Sequence, residues 1–168
     1  MALRIRIFGD PVLREKCEPL DKIDPEVREL MAQMADTLGA SSGRVGLAAP
    51  QVGVTKRLFV YDLGRGPRCL INPEVIAGEG ELPNEEGCLS FPGVYVTVPR
   101  YERVRTRCVT PSGHNIVIEA QDFAARLMQH ECDHLDGVLI IDRCDAEERE
   151  RALAEFRDME ERDALPDD

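Results

Sequence analysis

From Asp24 to Gly39 the apolar residues fall at Val27, Leu30, Met31, Met34 and Leu38, a three-four spacing that predicts one helix with a single buried face. Asp24 offers an N-cap carboxylate and Pro25 suits the first helical position, so chemistry and period agree on where that helix starts. Between residues 57 and 120 the texture changes to short β-rich runs at 57–63, 70–76, 94–98, 102–110 and 115–120, separated by Gly and Pro clusters, which predicts a mostly antiparallel sheet. In one of these runs Arg103, Arg105 and Arg107 alternate with Val104, Thr106 and Cys108, the period of a strand with one solvated face. A second helix is predicted from Asp122, taken as its N-cap, to a stop at Gly137, with Phe123, Leu127, His130, Glu131 and His134 on one side. Residues 138–141 read as a short strand. A third helix begins at Asp145, with Glu148 at capping-box spacing and a narrow stripe of Ala152, Phe156 and Met159, and 165–168 are expected to fray.

These elements predict an α+β fold, with antiparallel sheets around a central helix that carries the chemistry. The length of 168 residues suits a single domain spanning 1–168, closed by an acidic helix from about 145. The 21 basic and 32 acidic residues leave a net charge of −11, which argues against attachment to a nucleic-acid backbone. The arginine run is therefore read as a solvated sheet face. From Asp145 onward there are 11 acidic and 4 basic residues, a net of −7, so the rest of the chain carries only −4 of the −11. No apolar stretch has the length of a signal peptide or of a membrane span, so a cytoplasmic protein without a membrane partner is expected. In that setting the six cysteines read as reduced thiols or metal ligands rather than a disulfide framework.

His130-Glu131-Cys132-Asp133-His134 is an H-E-x-x-H sequence, and on a helix residues four apart differ by only about 40° around the axis. Both imidazoles can therefore reach one metal. Glu131 lies beside the first histidine, where its carboxylate can serve a water on that metal without being a ligand. A catalytic site needs a third protein ligand and an open position. The best candidate is Cys88 in Glu86-Gly87-Cys88-Leu89-Ser90, although a lone cysteine is more often buried packing. A further stretch, Gly46-Leu47-Ala48-Ala49-Pro50-Gln51, has small residues for close packing and an amide at Gln51 able to donate to an oxyanion; alone it is a commonplace loop.

Taken together and in this order, the three stretches resemble those of the peptide deformylase family, from about residue 8 to residue 143. The second and third match completely. The first departs at its opening, where Arg44 stands at the position the family gives to glycine and Gly43 lies one residue earlier. The resemblance implies that Cys88, His130 and His134 bind a metal, that Glu131 is the general acid/base, and that Gln51 and the Leu89 N–H stabilise an oxyanion, with Gly46 in the same catalytic stretch. It also implies the activity: a metal-bound water attacks the formyl group of N-formylmethionyl nascent polypeptides and formate is released. For the metal it implies Fe2+ in the cell, with Zn2+ or Ni2+ in purified protein.

Val45, Phe123 and Leu127 are candidates for a methionine pocket and equally for ordinary core. Gln129 and Asp133 are read as orienting groups for the ligands, His114 as an exposed turn residue, and Cys132 as packing on the far side of the helix. Transient ribosome contact remains open, since the acidic third helix lacks a basic docking face. A zincin-like peptidase would need an acidic third ligand such as Glu147 or Glu148, because no histidine follows His134. A closed, inert metal module would need a fourth ligand such as Cys69 or Cys108.

Overall fold

The period-two segments join into one five-stranded sheet in simple chain order, β1 (Gly46–Ala48), β2 (Leu58–Tyr61), β3 (Arg68–Cys88), β4 (Phe91–Val109) and β5 (Asn115–Gln121). Every neighbouring pair is antiparallel. This computed structural model describes residues 1–163; the fraying expected at 165–168 lies outside them. Three helices complete the α+β arrangement: α1 (Pro25–Gly39), α2 (Asp122–Leu135) and α3 (Ala146–Asp163).

The sheet is less divided than its sequence suggests. The runs at 94–98 and 102–110 form the single strand β4, and the run at 70–76 is the first part of β3, which continues for 21 residues to Cys88. Glycines 78 and 80 and prolines 83 and 99 read as breaks in sequence. In the sheet Pro83 is the register partner of Pro99, so the two residues that lack an N–H face one another and disturb the ladder at one rung rather than two. Strand β1, only three residues long, had no period to reveal it.

Asp24 caps α1 as expected, accepting from the Val27 N–H at 3.0 Å. Asp122 does not cap α2: Gln121 holds the N-cap position without a side-chain bond, and Asp122 lies at φ +54°. Strand β5 runs straight into α2, so one residue must reverse the chain, and aspartate enters the left-handed region more readily than most. Residues 138–141 are not a strand either; Ile140–Asp142 form a 3-10 turn. Asp145 accepts from the Glu148 N–H at 2.8 Å, but Glu148 does not reciprocate: its carboxylate reaches across to the Thr97 N–H and hydroxyl.

The core follows from alternation. On β2, Leu58 and Val60 pack with the Val27, Leu30, Met34 and Leu38 face of α1, while Phe59 and Tyr61 pack with Ala125, Met128 and Leu135 of α2. A sheet covered on both sides in this way holds α2 firmly against it. A third cluster joins Phe156 of α3 to Phe91 of β4 and to Phe8, with ring centroids 4.3 to 5.5 Å apart, and closes around the tip of the β3–β4 hairpin. The outward-facing arginines 103, 105 and 107 pair with Glu79, Glu119 and Glu74, as a solvated sheet face should. Among the described residues no helix is long and apolar enough to cross a membrane.

Candidate metal centre

The hairpin tip and α2 bring the H-E-x-x-H residues and Cys88 together. Cys88 ends β3, and only Leu89 and Ser90 separate it from Phe91, its register partner on β4. Its Sγ lies 3.3 Å from His134 Nε2, and the ligand atoms of Cys88, His130 and His134 all fall within 4.8 Å of one another. One thiol and two imidazoles at this spacing are a fitting donor set for one divalent ion. Burial alone would raise the Cys88 pKa, but the adjacent His134 and His130 outweigh it and hold the thiol well below its ordinary value. That direction favours the thiolate, the form a metal requires.

Glu131 is buried beside this group, and its Oε2 makes no hydrogen bond among the described residues. Burial pushes its pKa up against the opposing pull of His130 and His134. A buried, unpartnered carboxylate oxygen is costly unless something at the site uses it. Gly46 explains how the carboxylate fits: a Cβ there would strike the Glu131 carboxylate, coming 2.8 Å from its Cδ, and would lie 2.9 Å from Leu127 Cδ1. The glycine backbone forms the wall against which Glu131 rests.

Gln51 is fixed at both ends of its amide. Its Oε1 accepts from the Ala48 N–H at 2.9 Å, which turns Nε2 toward Ser90 Oγ at 3.2 Å and Cys88 Sγ at 3.7 Å. The N-terminal segment braces this arrangement, with the Arg6 N–H donating to Gln51 O at 2.7 Å and the Phe8 N–H to Ser90 O at 2.8 Å. Gln51, Leu89, Val45, Phe123 and Leu127 all line one cleft of about 590 Å³ that opens onto Cys88, His130 and Glu131. Phe123 is 47% exposed at its mouth, whereas Leu127 is buried and also belongs to the core.

Two readings of the sequence need correction. Neither Gln129 nor Asp133 touches a ligand: Gln129 bonds the Tyr101 backbone and Ala125 O, and Asp133 binds Arg100 and Arg143. The group that orients His130 is Glu86, whose Oε1 lies 2.9 Å from Nδ1. Glu86 is in turn gripped by the buried Arg100, and although burial opposes ionisation, His130 and Arg100 bring its pKa down to about 2. Cys132 faces the core with its thiol pushed up by burial to about 12, and His114 sits in an exposed turn. Cys108 is a core residue and Cys69 packs, partly buried, against the core, both outside the ligand cluster, and Glu148 is occupied at Thr97. Among the described residues no fourth protein ligand closes the site.

The sequence family described as Polypeptide deformylase matches residues 2–150. The chain belongs to the peptide deformylase family. A peptide deformylase of Thermotoga maritima is 47% identical over 141 residues, 83% of this chain and 85% of its own length. One from Clostridium botulinum is 49% identical over 144 residues, covering 85% and 97% respectively. The crystal structure of a peptide deformylase from Legionella pneumophila superposes with a TM-score of 0.92 at 34% identity, covering 99% of this chain and 100% of that one. The enzymes of this family remove the N-formyl group from nascent peptides, and the Cys88–His130–His134 cluster has the donor set and spacing that could hold one metal ion.

Proposed function

We propose that this chain deformylates formyl-methionyl nascent peptides with Cys88, His130 and His134 as metal ligands and Glu131 as general acid/base. The observation that carries the reading is the convergence of three ligand atoms within 4.8 Å beside a buried carboxylate oxygen that has no partner among the described residues. When bound, a divalent ion supplies Lewis acidity, acidifying water and polarising a carbonyl oxygen. Glu131 takes the proton of the attacking water at Oε2, and the burial that raises its pKa makes it a stronger base than an exposed carboxylate. It then returns the proton to the leaving amine, so that formate and a free N-terminus are produced. The Gln51 Nε2 and the Leu89 N–H donate to the oxygen that becomes negative as the formyl carbon turns tetrahedral. Gly46 keeps Glu131 in register, and Val45, Phe123 and Leu127 enclose the methionine side chain.

A thiolate with two imidazoles suits ferrous iron and zinc alike; Fe2+ is the ion proposed in the cell, with Zn2+ or Ni2+ acquired on purification. The chain acts as one catalytic domain in the cytoplasm. The acidic character of α3 supports no ribosome contact through that helix, and its net charge supports no direct nucleic-acid binding.

The deciding experiment measures formate release from a formyl-Met-Ala-Ser peptide by anaerobically prepared, iron-loaded protein, beside Glu131→Gln of equal metal content. The variant should lose on the order of 10²–10⁴ in rate. A folded, metal-replete wild type that releases no formate overturns the proposal.

A further inference from the structure

Arg44 does not distort the glycine-rich stretch it interrupts. Gly43 takes the left-handed turn at φ +84°, while Arg44 is not among the positive-φ residues and is a half-buried residue of the cleft lining. Its Nη1 donates to Thr37 O of α1 at 2.8 Å. A second guanidinium, that of Arg126 on α2, lines the same cleft. Its Nη1 donates to Asn84 Oδ1 at 2.6 Å, and its Cζ lies 5.5 Å from the centre of the Phe123 ring.

The anchors are a backbone carbonyl in the last turn of α1 and a side-chain amide, and neither arginine forms an ion pair with a carboxylate among the described residues. Each side chain is thus held in place with most of its five N–H donors uncommitted. The acidic groups of the lining do not cancel them. Glu86 is already neutralised by Arg100, Glu131 is buried at the metal centre, and Glu85 is solvent-exposed, where its field is screened. A chain of net charge −11 therefore places two anchored arginines without a carboxylate partner among the described residues in the lining of its candidate active site.

A formylated peptide has no charge at its N-terminus, and the carboxyl end of a nascent chain is remote. The anions such a substrate brings into the cleft are Asp and Glu side chains. We propose that Arg44 and Arg126 select formylated peptides carrying an acidic side chain in the first residues after the formyl-methionine. This inference rests on the deformylase reading above and names a substrate class within it.

The test compares kcat/KM for formyl-Met-Xaa-Ala and formyl-Met-Ala-Xaa peptides with Asp, Asn or Lys at Xaa, using metal-loaded wild type and the Arg44→Gln/Arg126→Gln double variant. At one of the two positions Asp should exceed Lys by about five- to tenfold at low salt, the range of a partly buried charge pair. The preference should shrink as salt shortens the Debye length. In the double variant the Asp/Lys ratio should fall toward one, and a ratio taken on one protein is independent of the fraction that is folded. Turnover without an Asp/Lys difference in wild type, or a preference that survives in the double variant, overturns the charge selection and leaves deformylation standing. No turnover of any peptide overturns both.

Discussion

Glu86 Oε1 lies 2.9 Å from His130 Nδ1, so the strand end that delivers the Cys88 thiolate also delivers the carboxylate that sets the tautomer and direction of the facing imidazole. Arg100, almost fully buried, keeps that carboxylate charged and in place through two bonds of 2.9 and 3.1 Å. Its third contact, to Asp133, ties the arrangement back to α2.

Glu86→Gln should therefore weaken metal binding by about 10–100-fold, because an amide fixes the imidazole less well than a carboxylate. Competition with a chelator of known affinity measures this directly. Unchanged affinity would remove Glu86 from the metal site's support.

Gly46→Ala should abolish most activity while leaving a folded protein. The added methyl meets the Glu131 carboxylate and Leu127 Cδ1, so one of them must move, at a cost of about 1–3 kcal/mol in stability. Formate release and urea denaturation on the same preparation separate the two effects. A fully active alanine variant would show that the position of Glu131 is not set by this wall.

Chelation should abolish formate release yet leave the circular dichroism spectrum intact. The three buried apolar clusters are built from residues other than the two histidine ligands, with Cys88 only on the edge of one of them. Iron or zinc added back should restore turnover. Global unfolding on chelation would instead favour a structural metal.

In the turn after α2, Asp142 accepts from the Leu139 N–H at 2.8 Å and pairs with Arg14. Burial raises its pKa, but these bonds outweigh it and the folded value is lowered. A lowered folded value stabilises the protein fully above the ordinary carboxylate pKa of about 4, and that contribution fades as pH falls through the folded value. Wild type should thus exceed Arg14→Gln in urea midpoint near about pH 7, with the gap closing toward about pH 3. A gap that widened on acidification would contradict this pairing.

The sequence revealed some parts of this design and concealed others for physical reasons. Helix α1 announced itself fully, since cap, proline and apolar stripe are all local. The histidine pair was equally legible, being set by helical period alone. The long hairpin was not, because Gly78, Gly80, Pro83 and Pro99 look like breaks until their partners across the sheet are known. Glu86 was within reach, as period two puts residues 86 and 88 on one face of a strand. Gln129 and Asp133 were favoured over it because they neighbour the histidines in sequence, and proximity along the chain misled. That Arg44 and Arg126, 82 positions apart, line one cleft is something only tertiary structure displays.

Cys88 and His134 are 46 residues apart, and the hairpin that presents the sulfur is made well before the helix that presents the imidazoles. During synthesis of this enzyme itself, the β3–β4 hairpin can emerge and pair while residues 122–135 are still being added. Ion capture by the complete ligand set must wait for that helix. A newly made copy therefore completes its ligand set only after most of its sheet, and a chain truncated before α2 would carry the Cys88 thiol without the imidazoles that lower its pKa.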